Sequence, residues 1–99
     1  MTTHHFGQGS FKNELWVNNN SVFKKPIGVD VEFVGAGAFD WVFDDENGKE
    51  IRTLREENAH GGWHSMDFKS LGLFNNYSIG FRNVSPSELT IKQGDVRLP

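Results

Sequence analysis

The 99-residue sequence contains no cysteine, and this absence removes several kinds of chemistry at once. Disulfide frameworks, thiolate metal sites and cysteine nucleophiles are all excluded. The cellular compartment stays open, because many cytosolic domains and many secreted domains lack cysteine.

The sequence also has no long apolar run, and its first residues do not have the pattern expected of a leader peptide. No stretch approaches the length of a membrane span. The start, MTTHHFGQGS, has neither the charged n-region nor the apolar h-region of a secretory signal. We therefore expect residues 1–10 to be a flexible segment or an expression-tag remnant, followed by one domain over 11–99. The protein would be secreted if a signal peptide had been removed, and cytoplasmic otherwise.

Positive charge is scarce in the middle of the chain. Residues 28–68 contain ten acidic and three basic residues, a net charge of −7, whereas the chain as a whole has a net charge of −3. Binding to a phosphate backbone needs a basic stripe. Nucleic acid is therefore not an expected partner.

Alternation of apolar and polar residues dominates what is present. In GVDVEF, the side chains of Val29, Val31 and Phe33 fall on one face, with Asp30 and Glu32 on the other. The same pattern recurs in AFDWVFDD, WHSMDF, NNYSIGFRN and ELTIKQ. This period of two is typical of half-buried antiparallel strands.

Turn residues separate these runs. Asn47-Gly48 predicts a hairpin, because both positions tolerate positive φ, and Pro86 suits the second position of a turn. The pattern predicts a single all-β domain, an antiparallel β-sandwich of jelly-roll or immunoglobulin-like kind with six or seven strands. The expected strands lie at about 11–18, 28–35, 38–44, 49–55, 63–69, 76–83 and 88–97.

The stretch ENAHGGWHSMDF, residues 57–68, places His60 and His64 four residues apart. On a helix, this spacing would bring both imidazoles to one face for a metal ion. Gly61-Gly62 makes a helix implausible, since each glycine costs close to 1 kcal/mol there relative to alanine. We expect an exposed loop histidine at 60 and a strand-lining histidine at 64, with no metal and no cofactor.

A second candidate metal site is the acidic run at Asp44, Asp45, Glu46 and Asn47, whose oxygen atoms would suit calcium. It lacks the alternating ligand spacing of an EF-hand loop and coincides with the predicted hairpin. A solvated turn is the simpler interpretation.

The sequence offers little to an enzyme. Ser65, His64 and Asp67 are the right residue types for a hydrolytic triad, but alternation puts His64 and Ser65 on opposite faces of one strand. No Gly-x-Ser-x-Gly motif is present. We expect a protein that is not an enzyme.

Two tryptophans stand out from the apolar faces. Trp63 shares its face with Ser65 and Asp67, and Trp16 shares its face with Glu14. A partly exposed tryptophan beside polar side chains can stack on a pyranose ring or anchor a protein interface. The alternative is that Trp63 packs beneath the loop as part of the core, since tryptophan is highly buried on average.

Three motifs in the second half of the chain carry a resemblance. They are D-x-x-G-K from Asp45, Y-x-I-x-F-x-N from Tyr77 and L-T-I-x-x-G from Leu89. Together they resemble the closing strands of small secreted bacterial jelly-roll modules, including carbohydrate-binding ones. The resemblance covers about half the chain, implies a binding role and transfers no site residue.

Two functional hypotheses follow. The first is a non-catalytic recognition module for a glycan or cell-surface ligand. Its candidate ligand-binding residues are Trp63, His60, His64, Asp67 and Trp16. The alternative is a small interaction or assembly component, such as a virion, toxin-associated or inhibitor protein. It would use its acidic surface or an exposed strand edge to bind a protein partner or a second copy of itself.

Overall fold

A computed structural model describes residues 2–99, which form nine β-strands and two short 3-10 turns. The turns are Val17–Asn20 and Lys69–Leu71. The strands are β1 (Thr2–Phe6), β2 (Gly9–Phe11), β3 (Glu14–Trp16), β4 (Gly28–Val34), β5 (Phe39–Asp44), β6 (Glu50–Glu56), β7 (Gly62–Asp67), β8 (Ser78–Asn83) and β9 (Leu89–Leu98).

The strands form two antiparallel sheets that pack face to face. Sheet 1 has the order β1–β9–β4–β7, with β2 also paired to β9, and sheet 2 has the order β3–β8–β5–β6. If β1 and β2 count as one interrupted strand, each sheet has four strands. Apart from the β5–β6 hairpin, successive strands alternate between the sheets. This order is that of a jelly roll, so the predicted antiparallel sandwich is confirmed and its topology is the jelly-roll one.

The core lies between the sheets, where the predicted apolar faces meet. Phe39, Trp41 and Phe43 of β5 are fully buried, as are Ile79 and Phe81 of β8. Sheet 1 contributes from the other side with Val29, Val31, Phe33, Leu89, Ile91 and Val96. The aromatic rings pack mainly edge-on or tilted, which is the favourable arrangement for their quadrupoles.

The predicted number of strands was too small, because the beginning of the chain contains three short ones. Thr2–Phe6 pairs with Gly94–Leu98 of β9, and Gly9–Phe11 pairs with Leu89–Ile91, so most of residues 2–11 lie in strands. The predicted strand 11–18 is instead divided between β2 and β3, which belong to different sheets. Strands β1 and β2 are held by their pairing with β9, and the alternation pattern within one strand does not reveal such pairing.

Strand β6 has the length that the sequence predicted and is shifted by one residue. It was expected at about 49–55, and it is found at Glu50–Glu56, where it pairs with β5 along its length. Leu54 lies opposite Trp41 and packs against the core. The neighbouring strand therefore decides the conformation of a segment whose own apolar stripe is weak.

Helical structure in residues 2–99 is confined to the two short turns. Neither turn has the length or the apolar character that crossing a membrane would require.

Candidate functional site

Strand β7 is an edge strand of sheet 1 and presents Trp63 to solvent. Alternation along β7 directs Trp63, Ser65 and Asp67 outward, while His64 and Met66 point toward the other sheet. The Trp63 side chain is 51% exposed. It is therefore a large aromatic surface on the outside of the sandwich and not a core residue.

Three neighbouring rows of outward side chains cross the strands of sheet 1, and we call the surface that they form the Trp63 face. Their positions follow from the pairing of β7 with β4, β4 with β9, and β9 with β1. The first row is Trp63, Glu32 and Gln93; the second is Ser65, Asp30, Asp95 and His5; the third is Asp67, Gly28, Arg97 and Thr3.

Most polar side chains on the Trp63 face are held by a neighbour across the strands. Gln93 Nε2 donates to Glu32 Oε1 at 2.9 Å, directly beside the tryptophan row. Arg97 Nε donates to Asp30 Oδ2 at 3.0 Å, and His5 Nδ1 lies 2.9 Å from Asp95 Oδ1. These contacts orient carboxylate groups and leave part of their acceptor capacity for another molecule.

The Trp63 face is acidic. It carries the four carboxylates of Asp30, Glu32, Asp67 and Asp95 against one arginine, Arg97, a net formal charge of −3 with histidine neutral. This surface would repel an anionic ligand and accept hydrogen bonds from a ligand rich in donors.

The indole N–H of Trp63 differs from those of the other two tryptophans. Trp41 donates to Glu56 and Trp16 donates to Glu14, each at 3.3 Å. Within residues 2–99, Trp63 Nε1 has no protein acceptor at hydrogen-bonding distance. Both the ring face and the N–H of Trp63 are therefore available to a ligand.

Two glycines set the path of the chain into β7. Gly61 and Gly62 have φ values of 76° and 87°, in the left-handed region that a side chain strongly disfavours. A Cβ at Gly61 would also lie 2.9 Å from the carbonyl oxygen of Gly35. The glycine pair lets the chain turn tightly from β6 of one sheet into β7 of the other.

His64 lies beneath this surface and not on it. Its ring packs edge-on against Phe33 and Phe39, with centroid separations of 6.1 and 5.5 Å. Asn58 Nδ2 donates to the Gly35 carbonyl, so Asn58 Oδ1 accepts the proton on His64 Nε2 at 3.0 Å. His64 therefore ties β7 to the adjacent loops and has no access to a ligand on the Trp63 face.

The other candidate residues near β7 have separate positions. His60 is exposed in the loop before β7. Asp67 is on the Trp63 face, but its carboxylate also accepts the backbone N–H of Lys69 at 3.3 Å, and Ser70 Oγ donates to its carbonyl at 2.8 Å. Asp67 thus stabilises the turn that follows β7. Ser65 and His64 lie on opposite sides of the strand, as the alternation predicted.

Trp16 is on the opposite outer surface of the sandwich. It belongs to β3 in sheet 2, where it pairs with Gly80 of β8, and it is half-buried. Trp16 and Trp63 therefore do not form one platform.

No group of three metal-ligating side chains is arranged around a common point in the part of the chain that the structure describes. In the acidic hairpin, Asp45 Oδ1 accepts the backbone N–H groups of Asn47 and Lys49, each at 2.9 Å. Glu46 Oε1 accepts from Asn76 Nδ2 at 3.0 Å. These carboxylates hold the turn and its neighbouring loop.

Sequence reasoning missed the residues that surround Trp63, namely Glu32, Gln93, Asp30 and Asp95. The alternation in β4 indicated that Asp30 and Glu32 point outward. It did not show that β4 lies between β7 and β9, which brings Trp63, Glu32 and Gln93 into one row. No protein-family model matches the chain, and no curated protein sequence matches it either.

Proposed function

We propose that this protein is a non-catalytic recognition module that binds a neutral glycan on the Trp63 face. The observation that carries the proposal is the half-exposed Trp63 ring beside the ordered carboxylate of Glu32 and the amide of Gln93. An aromatic ring flanked by oriented polar groups is the arrangement that a pyranose requires. The C–H face of the sugar packs on the ring, and its hydroxyls bond to the polar groups.

The charge of the surface favours a neutral sugar over an acidic one. Hydroxyl groups donate well to carboxylates such as Glu32 and Asp30, whereas a uronate or sulfate would meet the net −3 of this face. The ligand class that fits is a neutral hexose-containing oligosaccharide. A chain of several sugars would continue from Trp63 along the second row.

The set of candidate ligand-binding residues therefore differs from the one that the sequence predicted: some residues leave it and others join it. Trp63 stays at its centre, and Glu32, Gln93, Asp30 and Ser65 join it because they occupy the same and the adjacent row. His64 is assigned to positioning β7, and Trp16 belongs to the other surface.

Binding to a panel of neutral oligosaccharides tests the proposal, with tryptophan fluorescence and calorimetry as readouts. We expect at least one neutral glycan to bind and Trp63→Ala to weaken it by at least tenfold, equivalent to about 1.4 kcal/mol. Glu32→Gln should weaken it by a smaller factor, because the amide keeps one acceptor. Trp16→Phe, on the opposite surface, is the matched control and should bind normally.

Two results at the level of affinity, and a third in specificity, would overturn the proposal. One is that no neutral glycan binds to the wild-type protein at up to about 10 mM, a limit near −2.7 kcal/mol. The other is that a bound glycan has the same affinity for Trp63→Ala, provided that the variant melts at the wild-type temperature. A preference for acidic over neutral sugars would also contradict it.

A second candidate function is supported by a separate observation at the same edge. Val34 is 56% exposed, on the same face as Trp63, and within residues 2–99 strand β7 pairs only with β4. An apolar pair beside a free strand edge suits strand addition by a protein partner or a second copy. Val34→Lys would abolish such an association, seen by sedimentation, and leave glycan affinity within about twofold, below 0.5 kcal/mol.

A further inference from the structure

We propose that the protein has a second ligand site, a cleft that binds a small anion with an apolar tail, such as an alkyl or aryl carboxylate. The cleft has a volume of about 420 Å³ and opens at the end of the sandwich where β4 begins and β7 ends. It is lined by Lys25, Pro26, Ile27, Lys69, Leu73 and Phe74. Its volume is within the range of small-molecule sites, roughly 300–1,000 Å³.

Four of the six residues that line the cleft are apolar. Pro26 and Leu73 are buried, and we call these two residues the floor of the cleft; Ile27 is half-buried. Phe74 is 63% exposed, the highest value among the exposed large apolar side chains that the structure describes. Exposed apolar surface of this kind beside a concave opening is characteristic of a place where an apolar group binds.

The rim of the cleft is positive. Lys25 and Lys69 are the only charged lining residues, and no carboxylate lines the opening. Within residues 2–99, neither lysine ammonium forms an ion pair; the ion pairs that are present involve His5, Arg55, His64, Arg82 and Arg97. In a protein with a net charge of −3, this local concentration of positive charge selects an anionic head group.

The backbone around the cleft is held in place before any ligand arrives. Lys25 has a φ of 44°, an unusual left-handed conformation for a residue with a long side chain, and its N–H donates to Asn76 Oδ1 at 3.0 Å. Ile27 N–H donates to the Arg97 carbonyl at 2.7 Å, and Phe68 N–H donates to the Ile27 carbonyl at 3.0 Å. Strain that the surrounding bonds maintain is often found at binding sites, where it preorganises the contact residues.

The shape of the cleft favours a free molecule over a membrane surface. A bilayer would contact the projecting Phe74 and the lysines, but the buried Leu73 and Pro26 lie at the floor. Only a chain or ring that enters the cleft can contact that floor. The ligand that satisfies both lysines and the apolar floor is a single amphiphile, with its anion at the rim and its apolar part inside.

Titration with decanoate below its micelle concentration tests this site, followed by calorimetry and by amide shifts in NMR spectra. We expect saturable binding with shifts at Ile27, Lys69, Leu73 and Phe74. Acetate lacks the tail, and decyltrimethylammonium reverses the charge, so both should bind at least tenfold more weakly.

Variants locate the site and separate it from the glycan site. Lys25→Asn combined with Lys69→Gln removes both charges, and asparagine tolerates the left-handed backbone at position 25. We expect this double variant and Phe74→Ser each to weaken decanoate binding by at least fivefold. Lys24→Gln is the matched control, since Lys24 neighbours Lys25 without lining the cleft. Trp63→Ala should leave decanoate binding unchanged.

Three outcomes would overturn the proposal. They are the absence of saturable decanoate binding, equal binding of the cationic amphiphile, and equal decanoate binding by the cleft variants and Lys24→Gln. An anionic amphiphile could also be a lipid in a membrane. Sedimentation with vesicles that contain or lack anionic lipid tests this alternative. If the protein sediments with anionic vesicles but does not bind decanoate, the surface is a membrane-docking site and the small-ligand proposal is wrong.

Discussion

The two outer surfaces of the sandwich each carry one tryptophan, and the two side chains behave differently. On sheet 2, Trp16 lies on the backbone of β8. A Cβ placed at Gly80 would come within 2.5–2.8 Å of its six-membered ring. Val42, next to Gly80 in the same cross-strand row, is only 1% exposed although it points away from the core. Trp16 thus forms part of a small outer cover on sheet 2.

Charge pairs complete this cover. Arg82 donates to Glu14 at 2.9 Å and to Glu50 at 3.0 Å, and Glu14 also accepts the indole N–H of Trp16. Hydrogen bonds donated by Thr53 and Arg82 lower the pKa of Glu50, and the hydrogen bonds that Arg82 donates to Glu50 and Glu14 raise the pKa of Arg82. The polar groups around Trp16 are engaged with one another.

On sheet 1, the residue opposite the tryptophan is different. Trp63 pairs with Glu32, which has a side chain on the outer face, whereas Trp16 pairs with Gly80, which has none. The ring of Trp63 therefore has no bare backbone on which to lie, and its N–H has no acceptor in residues 2–99. The cross-strand neighbour therefore decides whether an outward tryptophan covers the sheet or stays available to a ligand.

The largest expected effect is on stability, in a comparison of Trp16→Ala with Trp63→Ala. Trp16→Ala should lower the free energy of unfolding by about 2 kcal/mol, since it removes a half-buried aromatic side chain and its hydrogen bond. Trp63→Ala should change it by less than about 0.5 kcal/mol, as for other exposed positions. Urea denaturation of the two variants measures both values. Equal losses of stability would show that Trp16 covers its sheet no more than Trp63 does.

A smaller loss of stability is expected when a side chain is added at Gly80 of β8. Gly80→Ala should destabilise the protein by about 1 kcal/mol, because the new methyl group displaces the Trp16 ring. The cost should nearly vanish in a Trp16→Ala background, so a double-mutant cycle should give a coupling energy of similar size. Additive losses in that cycle would contradict the contact.

The smallest effect concerns a carboxylate on sheet 2 that lies outside the Arg82 pairs. The pKa of Asp44 is raised by partial burial first, and then by the charges of Glu50, Glu14 and Asp45. A raised pKa means that the folded state favours the protonated group, so the ionised carboxylate destabilises the fold above that pKa. Asp44→Asn should add about 0.5 kcal/mol of stability at pH 7.

The pH dependence of that gain provides the check. Below the ordinary pKa of 3.8, Asp44 is protonated in both the folded and the unfolded chain, so the advantage of asparagine should disappear. Thermal unfolding at pH 7 and near pH 3 measures the difference. Glu50→Gln is the control with the opposite sign: the pKa of Glu50 is lowered, and its contribution to stability is present at pH 7 and lost as the pH falls through its folded value. A gain from Asp44→Asn that persists at pH 3 would rule out the charge explanation.

Much of the local structure was predictable, because alternation records which side of a strand meets the core. It predicted the buried faces of β4, β5 and β8, the hairpin at Asn47-Gly48, and the inward direction of His64. It failed for β1 and β2, whose order comes from pairing with β9 nearly ninety residues later. Short polar edge segments have little pattern of their own, so long-range pairing decides their conformation.

The candidate site, too, was predictable from the sequence only in part. The sequence alone determined that Trp63 points away from His64 and Met66, because successive side chains of a strand alternate between its faces. The neighbours of each tryptophan were decided by strand order: Glu32 lies opposite Trp63, and Gly80 lies opposite Trp16. The cleft between residues 25–27 and 69–74 likewise exists only because β4 and β7 are adjacent in sheet 1. Periodicity acts within one strand, whereas a surface is made by several strands, and their order is set by the packing of the whole core.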